Sequence, residues 1–243
     1  MPEQDSLQLF PLHIAYFIGS PWPSADMKRL AVTADKHEFA IKFEEDAVGL
    51  PASEWLGCKL AQACRIAVPW TAIMVDDKGR VGFGSRIEGA GHRFSDHSPQ
   101  ERAAMMTSCA QVMSANIALD IFCGNDDRHL NNWVFRKNTQ DQWALLCIDF
   151  SRALFVRDFP NLPPFTNNNT LTTQRMLKAT QNWHGPFAVF AIQQIQEIKP
   201  ATVARWLDEC PETWLSPKKR QELTDWWGST SYHEHLQRVL ALL

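Results

Sequence analysis

The segment 39–43, FAIKF, carries the clearest strand pattern in the first third of the chain. Phe39, Ile41 and Phe43 alternate with other residues, so these three side chains share one face of an extended backbone. Lys42 then lies on the opposite face. The pattern predicts a half-buried strand that carries a lysine near its end.

Two apolar runs, 71–75 and 80–84, flank the polar turn 76–79 and predict a β-hairpin. Between the strand regions, residues 53–64 place apolar side chains at helical spacing and predict a helix. The first part of the chain is therefore expected to be rich in strands.

The second part of the chain has the pattern of helices. Ser98 and Glu101 form a capping box around Pro99, and Gly124 is the expected end of the helix that begins there. Further helices bounded by Pro, Gly or Ser are predicted at 186–198, 201–209, 217–227 and 231–242. Residues 158–170 are rich in Pro and Asn, which predicts a long loop.

Strands followed by helices predict an α+β fold with a boundary near residues 85–91.

Of the 243 residues 45% are hydrophobic, which is enough for a full core or for two small lobes. The net charge of −3 implies no standing affinity for nucleic acid. Six cysteines without a CxxC pair are typical of buried free thiols in a reducing compartment. Neither a signal-peptide pattern nor an apolar run of about 20 residues is present, so we expect a cytoplasmic protein without membrane contact.

A cluster of polar residues stands before the second predicted hairpin. Two apolar runs flank a polar turn centred near Gln140, so antiparallel pairing is expected to bring Asn132 beside Asp149 at the open end. An amide oxygen next to a carboxylate suits Mg²⁺ or Mn²⁺.

Asp127 lies five residues before Asn132. An acid, a four-residue gap, an asparagine, a hairpin and a second acid form the layout of a phosphoryl-transfer site. There Asp127 would orient and deprotonate an acceptor hydroxyl, while Asn132 and Asp149 would hold a metal against a triphosphate. The cation that such a site also needs is Lys42, with Glu54 as its partner.

Other interpretations of this cluster stay open. Asn and Asp before a strand are commonly turn formers, and we assign turn formation and loop hydrogen bonding to Asp126 and Asn131. Alternatively, Asp126 or Asp127 could bind a transition metal together with His129, although only one histidine lies within reach in sequence.

The residues 127–132, DRHLNN, and 148–151, IDFS, resemble the catalytic core of HipA-like kinases. Segments 39–43 and 54–69 strengthen the resemblance, because that family similarly has a lysine strand, a Glu-containing helix and a proline step into the next strand. The likeness covers about residues 14–155.

The resemblance implies a two-lobed, protein-kinase-like fold with an N-lobe over residues 1–88 and a C-lobe over residues 89–243. It implies a serine/threonine protein kinase that uses ATP and Mg²⁺. Family members are often toxins of toxin–antitoxin pairs, and several phosphorylate aminoacyl-tRNA synthetases. The expected partners are therefore a protein substrate from the translation machinery and a small antitoxin or accessory subunit.

Carried over residue by residue, the resemblance makes Asp127 the catalytic base and His129 a positioning residue near the phosphates. Asn132 and Asp149 are the implied Mg²⁺ ligands. The segment 85–88 is the implied hinge beside the adenine. The implied nucleotide contacts are Lys42 with Glu54 as its partner, Ser85, Ile87, Asn132 and Asp149.

The phosphate-covering loop departs from the usual kinase pattern. No G-x-G-x-x-G motif precedes Lys42, and the candidate segment 19–29 has a single glycine. Some HipA-like kinases phosphorylate a serine in this loop and so switch themselves off, which makes Ser20 and Ser24 candidate autophosphorylation sites. Ser151 follows Asp149-Phe150 where many kinases have glycine, a change that HipA-like kinases tolerate.

Two rival functions remain. A kinase-fold module that only binds nucleotide is expected to have a defective catalytic set, whereas here the set is complete apart from the phosphate loop. A lipid or small-molecule kinase is the second rival. A phosphoinositide kinase is expected to have a basic loop after Asp149, but residues 157–170 contain one Arg and no Lys.

Overall fold

The computed structural model describes residues 11–19, 29–87, 94–157, 159–160 and 168–243. Strands and helices are both abundant in these ranges, so the predicted α+β class is confirmed. Ser20, Ser24, part of the expected boundary at 85–91 and most of the expected loop 158–170 lie outside the described residues.

A closed β-barrel forms the first part of the described chain, with strand order β1-β2-β3-β5-β4. It closes because β1 pairs with β2 on one side and, in parallel, with β4 on the other. Its strands are β1 (Leu12–Ile18), β2 (Arg29–Thr33), β3 (Glu38–Phe43), β4 (Thr71–Val75) and β5 (Val81–Arg86). The predicted β4–β5 hairpin is confirmed, whereas β1 and β2 were not individually predicted.

The interior of the barrel has its own small apolar core. Its members come from four of the strands: Ile14, Ala31, Phe39, Ile41, Phe43, Ala72 and Met74. Because side chains alternate along a strand, β3 sends Phe39, Ile41 and Phe43 inward and Lys42 outward, as the sequence pattern predicts. Lys42 pairs with Phe83 of β5, whose side chain belongs to the larger core outside the barrel.

Helices and one hairpin make up the remainder of the described chain. The helices are α1 (Leu50–Ala63), α2 (Pro99–Cys123), α3 (Asn169–Ala179), α4 (Gly185–Glu197), α5 (Pro200–Asp208), α6 (Pro217–Trp226) and α7 (Thr230–Leu240), and the hairpin strands are β6 (Trp133–Lys137) and β7 (Trp143–Cys147). The predicted helix ends of α2 are confirmed, with a full capping box at Ser98 and Gly124 in the left-handed conformation. The end of the expected loop is wrong, because residues 169–179 form α3.

The long helix α2 is the centre of the larger core. It packs against α1, α3, α4, α7 and β7. The six cysteines are free and buried, as expected from their apolar surroundings. None of the helices in the described ranges combines the length and the apolar character that a bilayer crossing requires.

Gly57 of α1 allows a close contact that bears on the site. The ring of Phe150 lies so near its Cα that any Cβ at position 57 would overlap the ring. Phe150 itself is fully buried in the larger core. Helix α1 and the chain after β7 therefore meet at a position where only glycine fits without rearrangement.

We expect Gly57→Ala to lower the free energy of unfolding by about 1–3 kcal/mol, because the added methyl group overpacks the contact with Phe150. Gly185→Ala is the matched control, since a Cβ at this helical position meets only the Trp183 ring nitrogen, at 3.7 Å. Chemical denaturation of both variants measures the difference, and equal stability of the two would contradict the overpacking.

Candidate active site

Lys42 joins two carboxylates that are distant in sequence. Its Nζ forms an ion pair with Glu54 Oε1 and donates a hydrogen bond of 2.9 Å to Asp149 Oδ1, a residue 107 positions away. The side chains of Lys42 and Glu54 are 10% and 3% exposed, and that of Asp149 is 22% exposed. The structure thus brings three predicted site residues into one buried network.

Charge interactions outweigh burial within most of this network. Burial alone would lower the pKa of Lys42, but the carboxylates of Asp149 and Glu54 raise it well above its usual range. Burial would raise the pKa of Asp149, but Lys42 and Ser151 hold it well below its usual range. At Glu54 burial prevails over the opposing effect of Lys42, and the pKa is raised. Lys42 and Asp149 are therefore both charged at neutral pH.

The backbone around Asp149 is fixed by specific contacts. Asp149 has a φ of 67°, a left-handed conformation that aspartate adopts more readily than most residues. The next amide, of Phe150, donates to Glu54 Oε2 over 3.1 Å, and the amide of Ser151 donates to Asp149 Oδ1 over 3.3 Å. Glu54 therefore holds both Lys42 and the chain beside Asp149.

The β6–β7 hairpin differs by one residue from the predicted register. Trp133 pairs with Cys147, and the amide of Ile148 donates to the carbonyl of Asn132 over 3.3 Å. Asn132 is therefore opposite Ile148 rather than Asp149, because the pairing is centred on Gln140 itself. Asp149 is the next residue, just beyond the end of the ladder.

A buried ion pair fixes the open end of this hairpin. Arg128 and Asp120 are both fully buried, with 2.6 Å between Arg128 Nε and Asp120 Oδ2. The guanidinium also donates to the carbonyls of Asn132 over 2.9 Å and Asp149 over 3.1 Å, and to that of Ile148. One arginine thus connects α2 to the chain on both sides of the hairpin opening.

Asp127 is held through both carboxylate oxygens. Asn169 Nδ2 donates to Oδ1 over 2.5 Å, and Arg152 Nε lies 3.3 Å from Oδ2. The carbonyl of Asp127 accepts a 3.0 Å hydrogen bond from Asn132 Nδ2. The five-residue spacing of Asp127 and Asn132 therefore corresponds to a direct contact.

The oxygens that remain suit a divalent cation and a nucleotide. Asn132 uses its amide nitrogen toward Asp127, and none of the described groups donates to its Oδ1. Asp149 accepts from Lys42 Nζ and from the Ser151 amide at Oδ1, and its second carboxylate oxygen lies beside that atom. An amide oxygen and a carboxylate oxygen at one opening fit Mg²⁺, which usually keeps several waters and takes few protein ligands.

The other predicted residues have these positions. Ser85 pairs with Ala40 on β3, so it lies on the same face of the sheet as Lys42. The amide of Ile87 donates to the carbonyl of Glu38 over 2.8 Å at the end of the same strands. His129 accepts a 2.9 Å hydrogen bond at its carbonyl from the Asn132 amide.

Loop hydrogen bonding, the role expected of Asp126 and Asn131, is observed. Arg157 contacts both oxygens of Asp126, at 2.6 and 2.7 Å, and Asn131 accepts a hydrogen bond from the Ser95 amide over 3.4 Å. In the described part of the chain, no group of three or more His, Cys, Asp and Glu residues could hold a metal ion, so the transition-metal interpretation gains no support.

Four residues near the site were not singled out from the sequence: Asp120, Arg128, Arg152 and Asn169. Asp120 could have been noticed in the sequence, because it is a charged residue within the apolar C-terminal part of α2. For Asn169 the available signal was Asn168, whose side chain caps α3 by accepting a 2.8 Å hydrogen bond from the Leu171 amide.

Comparisons with known proteins bear on the fold. No model of a protein family and no curated protein sequence matches the chain. The structure is similar to that of the Helicobacter pylori proinflammatory kinase CtkA, with a TM-score of 0.60 and 12% sequence identity over 96% of this chain and 99% of that one. At this identity the similarity shows a shared fold, the kinase-like fold that the sequence resemblance implies.

A second similarity is to a structure of the Shewanella oneidensis MR-1 toxin–antitoxin system HipA, HipB and its operator DNA complex. Its TM-score is 0.45 with 11% sequence identity, over 85% of this chain. This chain spans 57% of the length of that Shewanella chain.

Arg128→Met is expected to lower the free energy of unfolding by about 3–5 kcal/mol, because it leaves the buried carboxylate of Asp120 without its partner. The control is Lys137→Met, which removes an exposed ion pair with Asp141 and is expected to cost less than about 1 kcal/mol. Denaturant unfolding measures both, and a similar small effect for Arg128→Met would contradict the proposed role of the pair.

The low pKa of Asp149 predicts an acid-dependent contribution to stability. An aspartate whose pKa is lower in the folded than in the unfolded chain stabilises the fold above about pH 4, and this stabilisation is lost as the pH falls toward the folded pKa. Wild type is therefore expected to be more stable than Asp149→Asn at pH 7, with a gap that narrows below about pH 5. Denaturant titrations across pH, without nucleotide or metal, test this, and a constant gap would contradict it.

Proposed function

We propose that this chain is an ATP- and Mg²⁺-dependent serine/threonine protein kinase of the HipA-like type, with an N-lobe over residues 1–88 and a C-lobe over residues 89–243. The observation that carries the proposal is the buried contact of Lys42 with both Glu54 and Asp149. Lys42 lies on a barrel strand and Asp149 follows the hairpin, and the fold alone does not require these two charged side chains to meet in a buried site. Phosphoryl transfer needs such a cation and such a metal-binding acid together.

In the proposed reaction Asp127 is the catalytic base. The oxygen of the acceptor hydroxyl forms a bond to the γ-phosphorus of ATP as the bond to the β–γ bridging oxygen breaks. The bridging oxygen takes the electron pair and leaves with ADP, and the hydroxyl proton passes to Asp127. His129 is proposed to position the phosphates beside this residue.

The nucleotide is proposed to lie between the barrel and the hairpin. Lys42, oriented by Glu54, would contact its phosphates, and Ser85 and Ile87 would lie beside the adenine. Mg²⁺, held by Asn132 and Asp149, would supply charge neutralisation at the phosphates. The amide oxygen of Asn132, to which none of the described groups donates, and the carboxylate of Asp149 support this assignment.

The proposed substrate is a hydroxyl of a protein in the cytoplasm, with a component of the translation machinery such as an aminoacyl-tRNA synthetase as the first candidate. A role as the toxin of a toxin–antitoxin pair, with a small antitoxin or accessory subunit as partner, is part of the same proposal. Its support is the sequence resemblance of residues 127–132 and 148–151 to HipA-like kinases. Ser20 and Ser24 remain proposed autophosphorylation sites.

A second candidate function is nucleotide binding without transfer. One observation favours it: the contacts of Asn169 and Arg152 engage both oxygens of Asp127, the residue that must accept the proton. The Arg152 side chain is 41% exposed, however, and an ion pair of this kind is readily exchanged. We therefore favour transfer.

Asp127→Asn is expected to lower phosphate transfer by a factor of about 10²–10⁴, because the amide cannot accept the proton. Nucleotide binding is expected to persist, because Lys42 and the metal ligands are unchanged. The measurement is transfer of radiolabelled phosphate from ATP to proteins of a cell lysate, together with the thermal shift that ATP and Mg²⁺ produce.

Asp141→Asn is the matched control. Asp141 lies in the hairpin turn with its side chain 81% exposed, and asparagine tolerates its φ of 59°. This variant is expected to label lysate proteins as wild type does. Identical labelling by wild type and Asp127→Asn would refute the transfer activity, and a thermal shift without any labelling would favour the binding-only function.

A further inference from the structure

The first turn of α3 fixes one oxygen of Asp127. The amide of Asn169 donates to the carbonyl of Asp126 over 3.0 Å, and Thr170 Oγ1 donates to the carbonyl of Asn125 over 2.5 Å. Thr170 Oγ1 also accepts a 3.0 Å hydrogen bond from the Arg128 amide. With its backbone held in this way, Asn169 donates its side-chain amide to Asp127 Oδ1 over 2.5 Å. Oδ1 thus accepts from an uncharged donor whose main chain is held in place, while the Asn169 side chain itself is exposed.

The other oxygen of Asp127 is occupied by a cation that can move. Arg152 Nε lies 3.3 Å from Oδ2, and the side chains of Arg152 and Asp127 are 41% and 20% exposed. Half-exposed ion pairs are weak, because water competes for both charges. Arg152 can therefore leave Asp127 at little cost.

An acceptor hydroxyl that approaches Asp127 meets Arg152. A general base has to lie within hydrogen-bond distance of the proton that it accepts. Since Asn169 donates to Oδ1, we assign the hydroxyl to Oδ2, in the place of Arg152. The guanidinium then remains beside the acceptor without the carboxylate that neutralised it.

We propose that Arg152 selects acceptors that carry a negative charge next to the reacting hydroxyl, namely serine or threonine followed or preceded closely by Asp or Glu. An acid on the acceptor would replace Asp127 as the partner of Arg152, whereas a lysine or arginine there would be repelled. The inference depends on the proposed kinase activity and names the substrate class for that same site.

A second arginine on this side of the site, Arg157, is paired with a carboxylate of its own. Its guanidinium contacts Asp126, the neighbour of Asp127, and its side chain is 37% exposed. This contact engages both carboxylate oxygens of Asp126, so Arg157 is already neutralised, and we assign the preference to Arg152 alone.

The test has two parts, both on the full chain. First, proteins of a lysate are labelled by wild type with ATP and Mg²⁺, and the phosphorylated positions are mapped. Second, synthetic peptides that contain the strongest mapped site are compared with acidic, neutral and basic flanks. We expect acidic flanks to be enriched at mapped sites, and kcat/KM to be about fivefold higher for the acidic than for the neutral peptide, the ratio that one exposed charge pair of about 1 kcal/mol would give.

Arg152→Gln is expected to bring this ratio to within about twofold, and Arg152→Glu to favour the basic peptide. Arg205→Gln, on the exposed side of α5, is the control and is expected to keep the wild-type preference. Thermal unfolding of each variant checks that it is folded. Because a merely structural role for Arg152 would lower activity on all peptides equally, the change in the ratio is the decisive readout.

The possible failures are distinguishable. Labelled sites without acidic flanks, or an acidic preference that persists in Arg152→Gln, would overturn the selection by Arg152 and leave the kinase activity standing. Absence of any labelling by wild type would instead overturn the proposed function, and the inference with it.

Discussion

The buried ion pair of Arg128 and Asp120 is the constraint on which the site depends. A buried charge without a partner is costly, so Asp120 at the end of α2 requires Arg128 and fixes its position. The remaining donors of Arg128 are then directed at the carbonyls of Asn132, Ile148 and Asp149. The main chain on both sides of the hairpin opening is thereby tied to the central helix. The positions from which the side chains of Asn132 and Asp149 project are therefore fixed.

Helix α1 completes the arrangement from the other direction. Gly57 leaves room for the ring of Phe150, and Glu54, three residues earlier, accepts the amide of Phe150 and the ammonium of Lys42. One turn of α1 thus contacts both the barrel and the chain that follows β7. This explains how a lysine on a strand and an acid 107 residues later come to share a hydrogen bond.

Local signals in the sequence predicted much of the fold. The capping box at Ser98 and the glycine at 124 are short-range features whose physics is complete within a few residues, and they located both ends of α2. Strand β3 was predicted because its alternation is strict. Strand β1 lacks that alternation, since only Ile14 among its residues is buried, and no pattern marked it. Helix α3 was not predicted, because the asparagines before it are also typical of loops. One of them, Asn168, is in fact its N-cap.

The residues of the candidate site were likewise predictable only in part. Spacing alone indicated Asp127, Asn132 and Asp149, because a hairpin is a local structure that brings its two ends together. The partners Arg128 and Asn169 depend on which elements pack together, and eight or forty-two residues separate each from the acid that it contacts. Such pairs can be recognised only when the tertiary structure is known. The one-residue difference in the hairpin register also lay beyond what the approximate turn centre could define.

The closed barrel has a consequence for how another protein could bind this chain. A strand at the edge of an open sheet offers unpaired backbone groups to an incoming strand, but each barrel strand among the described residues already has a neighbour on both sides. At the paired positions a partner therefore cannot add a strand of its own. There it must recognise side chains on the outer face of the barrel, where shape and charge rather than backbone pairing determine the choice of partner.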